Sequence, residues 1–151
     1  MKTIDIELAV IRYFRPRQNL IVPNVSWGMN MHECDMLIIT ANNYGIEVEI
    51  KVSKSDLIAD GKKRHHHYDN RIKRLYFAIP DNLRTSADLI PSEAGILVIG
   101  IYKGLWVCKK IREARIKSGY KFSAEERYQI ARLGTMRIWT LKQKIRDLEA
   151  R

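Results

Sequence analysis

Cysteine is scarce in this sequence: Cys34 and Cys108 are its two examples. Each sits inside an apolar run without the paired spacing of a zinc site, so both read as reduced core residues rather than as a disulfide. Long apolar stretches are lacking too. No run approaches the roughly 18–20 residues that cross a bilayer. The opening "MKTIDIELAV" carries acids where a secretory signal needs a clean apolar segment. No membrane role is expected, and the expected location is the cytoplasm. There are no repeats and no low-complexity tract. Glycine (8) and proline (4) are sparse, and 46% apolar with 29% charged residues is ordinary for a globular protein. At 151 residues the chain is long enough for one domain with a proper core and short for two, so one domain over 1–151 is expected.

Negative charge is also in short supply: 17 acids stand against 27 lysines and arginines, a net charge of +10. The imbalance is local. Residues 1–102 hold 13 basic and 12 acidic side chains, whereas residues 103–151 hold 14 and 5, or +9. A lopsided basic segment is the usual footprint of a polyanion, because Lys and Arg displace counterions from phosphates. A solubilising surface, or a basic ribosome-associated protein, has the same composition.

What is present has a readable order. Ile4, Leu8 and Ile11 step by three and four, predicting a helix over 4–14 that Pro16 ends. "NLIVPNVSW" reads as a strand that Pro23 confines to an edge or bulge. The apolar "CDMLIIT" (34–40) and the alternating "GIEVEIKVS" (45–53) flank the turn "ANNYG" and predict a hairpin. Ser53 followed by Asp56 opens a helix running to about Tyr68. Strands follow at 74–80, 94–102 and 105–111. A last helix starts at a Ser123–Glu126 capping box, and its stripe Ala131, Gly134, Ile138, Leu141, Ile145 and Leu148 buries against this domain or a second copy of it. Helix, strand, hairpin, helix, three strands and helix make a mixed sheet flanked by helices, of the α/β or α+β class.

The hairpin carries the chemistry. Along 46–52, Ile46, Val48, Ile50 and Val52 face one side, and Glu47, Glu49 and Lys51 the other. Glu49 and Lys51 are then about 6.7 Å apart along the strand. If the strands pair, Asp35 brings its carboxylate towards Glu49. Carboxylates with a lysine suit phosphodiester hydrolysis: Mg²⁺ takes one or two carboxylates, keeps waters and accepts phosphate oxygens, activating a bound water. The lysine orients that water or stabilises developing charge. An exposed strand of any antiparallel sheet presents the same Glu–Glu–Lys face.

Asp35 with Glu49-Ile50-Lys51, on a hairpin after an N-terminal helix, resembles the PD-(D/E)XK nuclease superfamily. Within it, "VEIKVSKSDLIAD", "RLYFAIP" and "LIPSEAGILVIG" in this order are similar to the MmcB-like group of proposed DNA-repair nucleases, over roughly residues 30–100. The resemblance implies a restriction-endonuclease-like central mixed sheet flanked by helices, Mg²⁺ or Mn²⁺ dependence and hydrolysis of DNA. It also assigns roles: Asp35, Glu49 and Lys51 catalytic, Asp35 and Glu49 on the metal, and Glu7 a looser match to an acid on the first helix. Cys34 stands where the motif's name has proline. Glu33 and Glu47 are further contenders for the metal.

Candidate nucleic-acid contacts are Lys54, His67 and Tyr68 on the helix after the hairpin, and Lys109, Lys110, Arg112, Arg115 and Lys117 in the basic stretch from about 103, with Lys121 beyond. The three histidines of "KKRHHHY" point about 100° apart on a helix and cannot share one ion; a solvated helix end is the plainer reading. His32 is either a helper at the metal or an exposed loop residue. Trp106 and Tyr120 are either stacking platforms or core aromatics. The leading expectation is a metal-dependent DNA endonuclease of repair, recombination or a mobile element. The runner-up is a non-catalytic nucleic-acid-binding module on the same fold. A third is an RNA- or ribosome-associated protein.

Overall fold

The computed structural model describes residues 1–25, 33–62 and 69–150. Its elements follow the expected order: α1 (Thr3–Tyr13), β1 (Leu20–Val25), β2 (Cys34–Ile39), β3 (Gly45–Ile50), α2 (Lys54–Gly61), β4 (Ile72–Pro80), β5 (Gly95–Tyr102), β6 (Leu105–Arg112) and α3 (Ala124–Glu149). A 3₁₀ segment, Asp81–Leu89, between β4 and β5 has no counterpart in the sequence pattern. The predicted extension of α2 to Tyr68 falls outside the described residues.

The six strands form one sheet in chain order. β1–β2–β3 and β5–β6 are antiparallel, while β3, β4 and β5 run parallel. This mixed α+β sheet is what the residue pattern dictates. β2–β3 and β5–β6 are joined by short turns, and β3–β4 by a helical crossover, as parallel strands require. The β5–β6 turn is the two-residue Lys103-Gly104, both with positive φ (49° and 78°), the primed geometry that matches strand twist. Pro23 lies in β1, an edge strand where a missing donor is tolerated, as expected.

Each face is covered. α1 lays Ile6, Ala9 and Val10 on Met36, Ile38, Val48, Ile50, Ala78, Leu97 and Ile99. On the other face, Leu57 of α2 and Leu83 and Ile90 pack on Leu75, Phe77, Ile79 and Val98. Beside them, Ile130 of α3 and Phe122 cover Val22, Leu37, Ile39 and Ile72. Apolar residues on alternate positions of β3 fill the α1 face, so its intervening polar residues are turned towards α2.

Candidate active site

The direction of β3 decides where the chemistry sits. Glu49 and Lys51 stand at its finishing end, beside the start of antiparallel β2 and just ahead of α2. Register fixes the pairing: Met36 faces Val48 and Leu37 faces Glu47, so Asp35 comes level with the last residues of β3. The Ile50 N–H donates to Asp35 Oδ2 at 2.7 Å, which pins that carboxylate against the Glu49–Ile50 backbone.

The Glu–Glu–Lys face is not an exposed one. Glu47 is 0%, Glu49 3% and Lys51 7% exposed. Lys51 continues the sheet one residue past β3, its N–H donating to Ala78 O (3.0 Å). Its ammonium donates to Glu49 Oε2 at 3.0 Å and to Asp60 Oδ1 at 2.7 Å, and it stands 5.9 Å from the centre of the Phe77 ring. Burial works to lower the Lys51 pKa. The hydrogen bonds and charges of Asp60 and Glu49 outweigh it and hold the group above its ordinary range. Lys51 therefore stands as a charged donor at neutral pH in the metal-free protein.

Asp60 is the residue that the sequence pattern did not single out. It follows Leu57 by three on α2, one helical turn along the face that packs on the sheet, and it is buried with Leu57. That spacing is the signal that points to it. The Ser53 hydroxyl, accepting from the Asp56 N–H while the Asp56 carboxylate accepts from the Ser53 N–H, fixes where the helix starts and so where Asp60 arrives.

Acidic side chains crowd this end. Burial lifts the Glu7 carboxyl on α1 above its usual range, and the charge of Asp35 adds to the rise. Burial, then the charges of Glu47, Glu49 and Asp35, push the Cys34 thiol far up, so it is an inert core residue. Burial likewise raises the Cys108 thiol, to about 12. Asp69 is neutralised by Arg71, in contact at 2.9 Å. The Lys51 ammonium answers both Glu49 and Asp60, and Glu7 and Asp35 add further negative charge. Hard carboxylate oxygens crowded in this way fit a small divalent cation that takes only one or two of them. Among the described residues, no three His, Cys, Asp or Glu side chains are gathered as a closed ion-holding group.

The remaining candidates separate. Lys54, the exposed first residue of α2, stands three residues beyond Lys51. Glu33 is exposed just ahead of β2. His67, Tyr68 and His32 lie outside the described residues. Lys109 and Lys110 are exposed on β6, three strands from β3, and Lys110 is tied to Glu113. Arg112 donates to the carbonyls of Ala94 (2.8 Å) and Pro91 (2.6 Å), so its guanidinium braces the loop before β5. Arg115 and Lys117 are exposed on the strand-to-helix segment, which crosses the sheet end where β3, β4 and β5 begin. The Lys117 N–H donates to Lys73 O and the Phe122 N–H to Asn43 O. The structure does not gather these cations at the carboxylates; the length of β3, about 20 Å, intervenes. Trp106 packs half-buried against the α1 core and is a core aromatic. Tyr120 is exposed, edge-on to Phe122, with its hydroxyl donating to Glu126.

The sequence model of a family described as DNA repair protein MmcB-like matches residues 2–145. The chain belongs to the MmcB-like family of DNA repair proteins. No curated protein matches the sequence. A solved structure, the SPO1766 protein of unknown function from Silicibacter pomeroyi, superposes with a TM-score of 0.66 over 100% of this chain and 95% of that one, at 19% identity. That likeness confirms the fold of this MmcB-like protein. Among the described residues, no helix is long and apolar enough to cross a membrane.

Proposed function

We propose that this MmcB-like protein is a divalent-metal-dependent DNA endonuclease of the PD-(D/E)XK kind, with Asp35, Glu49 and Lys51 as its catalytic residues. The observation that carries the reading is the buried Lys51 ammonium. An ion pair in a core adds little stability over apolar residues of similar volume, and a buried cation held between carboxylates at the end of a strand is the arrangement expected of chemistry. Membership of a DNA-repair family supplies the substrate class.

Asp35 and Glu49 are the residues that would hold Mg²⁺ or Mn²⁺, with Glu7 approaching from α1. Such a cation, when bound, lowers the pKa of a water and neutralises charge on the scissile phosphate. The chain's own contribution is preorganisation. The Ile50 N–H fixes Asp35, while Asp60 and Glu49 fix Lys51 as a charged donor that stabilises negative charge on the pentavalent phosphorus. A lysine held charged in this way orients a nucleophile. Lys54 at the head of α2 is an exposed cation available to a flanking phosphate.

The reading is tested on supercoiled plasmid and labelled linear, single-stranded and flapped oligonucleotides, with Mg²⁺ or with chelator. Cleavage in Mg²⁺ is expected, abolished by chelator and reduced by about 100-fold or more in Asp35→Asn and Glu49→Gln. Cleavage that persists in both variants overturns the assignment.

A non-catalytic DNA-binding module is a second reading. It is favoured by the absence of a closed ion-holding group among the described residues and by the engagement of Lys51 with two acids. It predicts salt-sensitive DNA binding without cleavage and without heat on adding Mn²⁺.

A further inference from the structure

The first part of α3 is a packing helix and the last part is not. Ile130 is fully buried, Leu133 and Gly134 lie half-buried on β1, and Arg137 donates to Asn24 O at 2.7 Å. From Ile138 to Ala150 every residue is exposed. The predicted stripe is thus only begun within this chain: Gly134 lies against Val22 of β1, whereas Ile138, Leu141, Ile145 and Leu148 stay 52–66% exposed. An isolated helix of that length stands at the ~12–15-residue limit that water tolerates and is marginal without a partner for its apolar face.

We infer that this segment pairs with the same segment of a second copy as a short parallel two-stranded coiled coil. The four exposed residues occupy heptad positions a, d, a and d. Isoleucine stands at both a positions and leucine at both d positions, the choice that favours two parallel strands. Of the flanking charges, the pair towards the end of the helix agrees with that orientation. Lys144 takes a g position and Glu149 the following e position, so each Lys144 meets the partner's Glu149, twice by symmetry. An antiparallel pair over the same four layers would set Lys142 against the partner's Lys142 and Lys144 against the partner's Lys144. The preceding g residue, Arg137, is held by its own Asn24 carbonyl. Because the packed half of α3 rests on β1, the pairing would carry both sheets at one end of the coil.

Sedimentation equilibrium of the full chain across micromolar to submillimolar concentrations reads the prediction. The mass should rise to twice 17.7 kDa and fall back to the monomer in Ile145→Asp, with the far-UV circular dichroism of the sheet domain retained. Lys144→Glu and Glu149→Lys should each weaken the dimer and together restore it. Leu148→Cys should form a disulfide-linked dimer on mild oxidation, since two d residues of one layer meet only in the parallel arrangement. A wild-type monomer throughout, or a dimer untouched by Ile145→Asp, overturns the inference. A dimer lost in Ile145→Asp but without the Leu148→Cys cross-link overturns the parallel orientation.

Discussion

Lys51 is both a proposed reactive group and the counterion that keeps two buried acids in place, and the two roles have separable consequences. Removing it strands Glu49 and Asp60 in the core. Lys51→Met is therefore expected to cost about 3–5 kcal/mol in urea unfolding, and adding Asp60→Asn should return part of that loss, a coupling that a double-mutant cycle reads directly. Loss of cleavage in Lys51→Ala is consequently weak proof of catalysis unless folding is measured beside it, whereas Asp35→Asn leaves Lys51 and its partners untouched. Glu7 gives a pH test. Its folded pKa is raised, first by burial and then by Asp35. Its contribution to stability is thus present below the unfolded pKa of about 4.5 and is lost as pH rises through the folded value. Glu7→Gln should stabilise the metal-free protein at pH 7 more than at pH 4, measured by urea midpoints. An equal effect at both values would mean that Glu7 is not desolvated as described. Lys51, also raised, behaves alike at the alkaline end: the stability it confers persists below about pH 10.5 and disappears as pH climbs through its folded pKa.

At the scale of elements, α2 delivers Asp60 to Lys51, and its start is set by the Ser53 cap. Ser53→Ala should cost about 1 kcal/mol. The same change should lower cleavage more than an equal destabilisation placed in α3, if α2 positions the site; equal losses would reduce the cap to a purely structural role. Much of this is legible in the sequence. Period-two alternation along 46–52 assigns the faces of β3, the "ANNYG" turn announces the hairpin, and the Ser53 and Ser123 capping boxes mark two helix starts that the structure reproduces. Alternation says which side a residue faces but not whether that side is covered, so the burial of Glu47 and Glu49 becomes visible only in the folded structure. Asp60 is easily passed over because an acid on a charged helix looks solvated unless its spacing from Leu57 is noticed. The 3₁₀ segment 81–89 escapes because its short turns carry no sustained period. The stripe of α3 is plain as a pattern, yet a pattern does not tell an intramolecular partner from an intermolecular one.

At the scale of the molecule, charge is sorted by position. Acids gather where β3 ends, while exposed Arg115, Lys117 and Lys121 lie at the end where β3, β4 and β5 begin. A duplex touching both regions would have to span the length of these central strands, with the basic segment serving as an anchor remote from the cut. Replacing Lys117 and Lys121 by Gln should then weaken DNA affinity uniformly across sequences, lower the slope of log affinity against log salt by about one for each phosphate no longer neutralised, and leave turnover at saturating DNA unchanged. An altered turnover number would place those lysines nearer the reacting phosphate than the fold does. The proposed chemistry turns on Asp35 and Glu49 holding a divalent cation beside a charged lysine. Titration of the purified protein with Mn²⁺, followed by calorimetry and by loss of the free-ion paramagnetic resonance signal, tests this most directly. Saturable binding is expected, weakened by at least an order of magnitude in Asp35→Asn with the fold retained; Mn²⁺ uptake identical in wild type and Asp35→Asn, or absent from both, would contradict it.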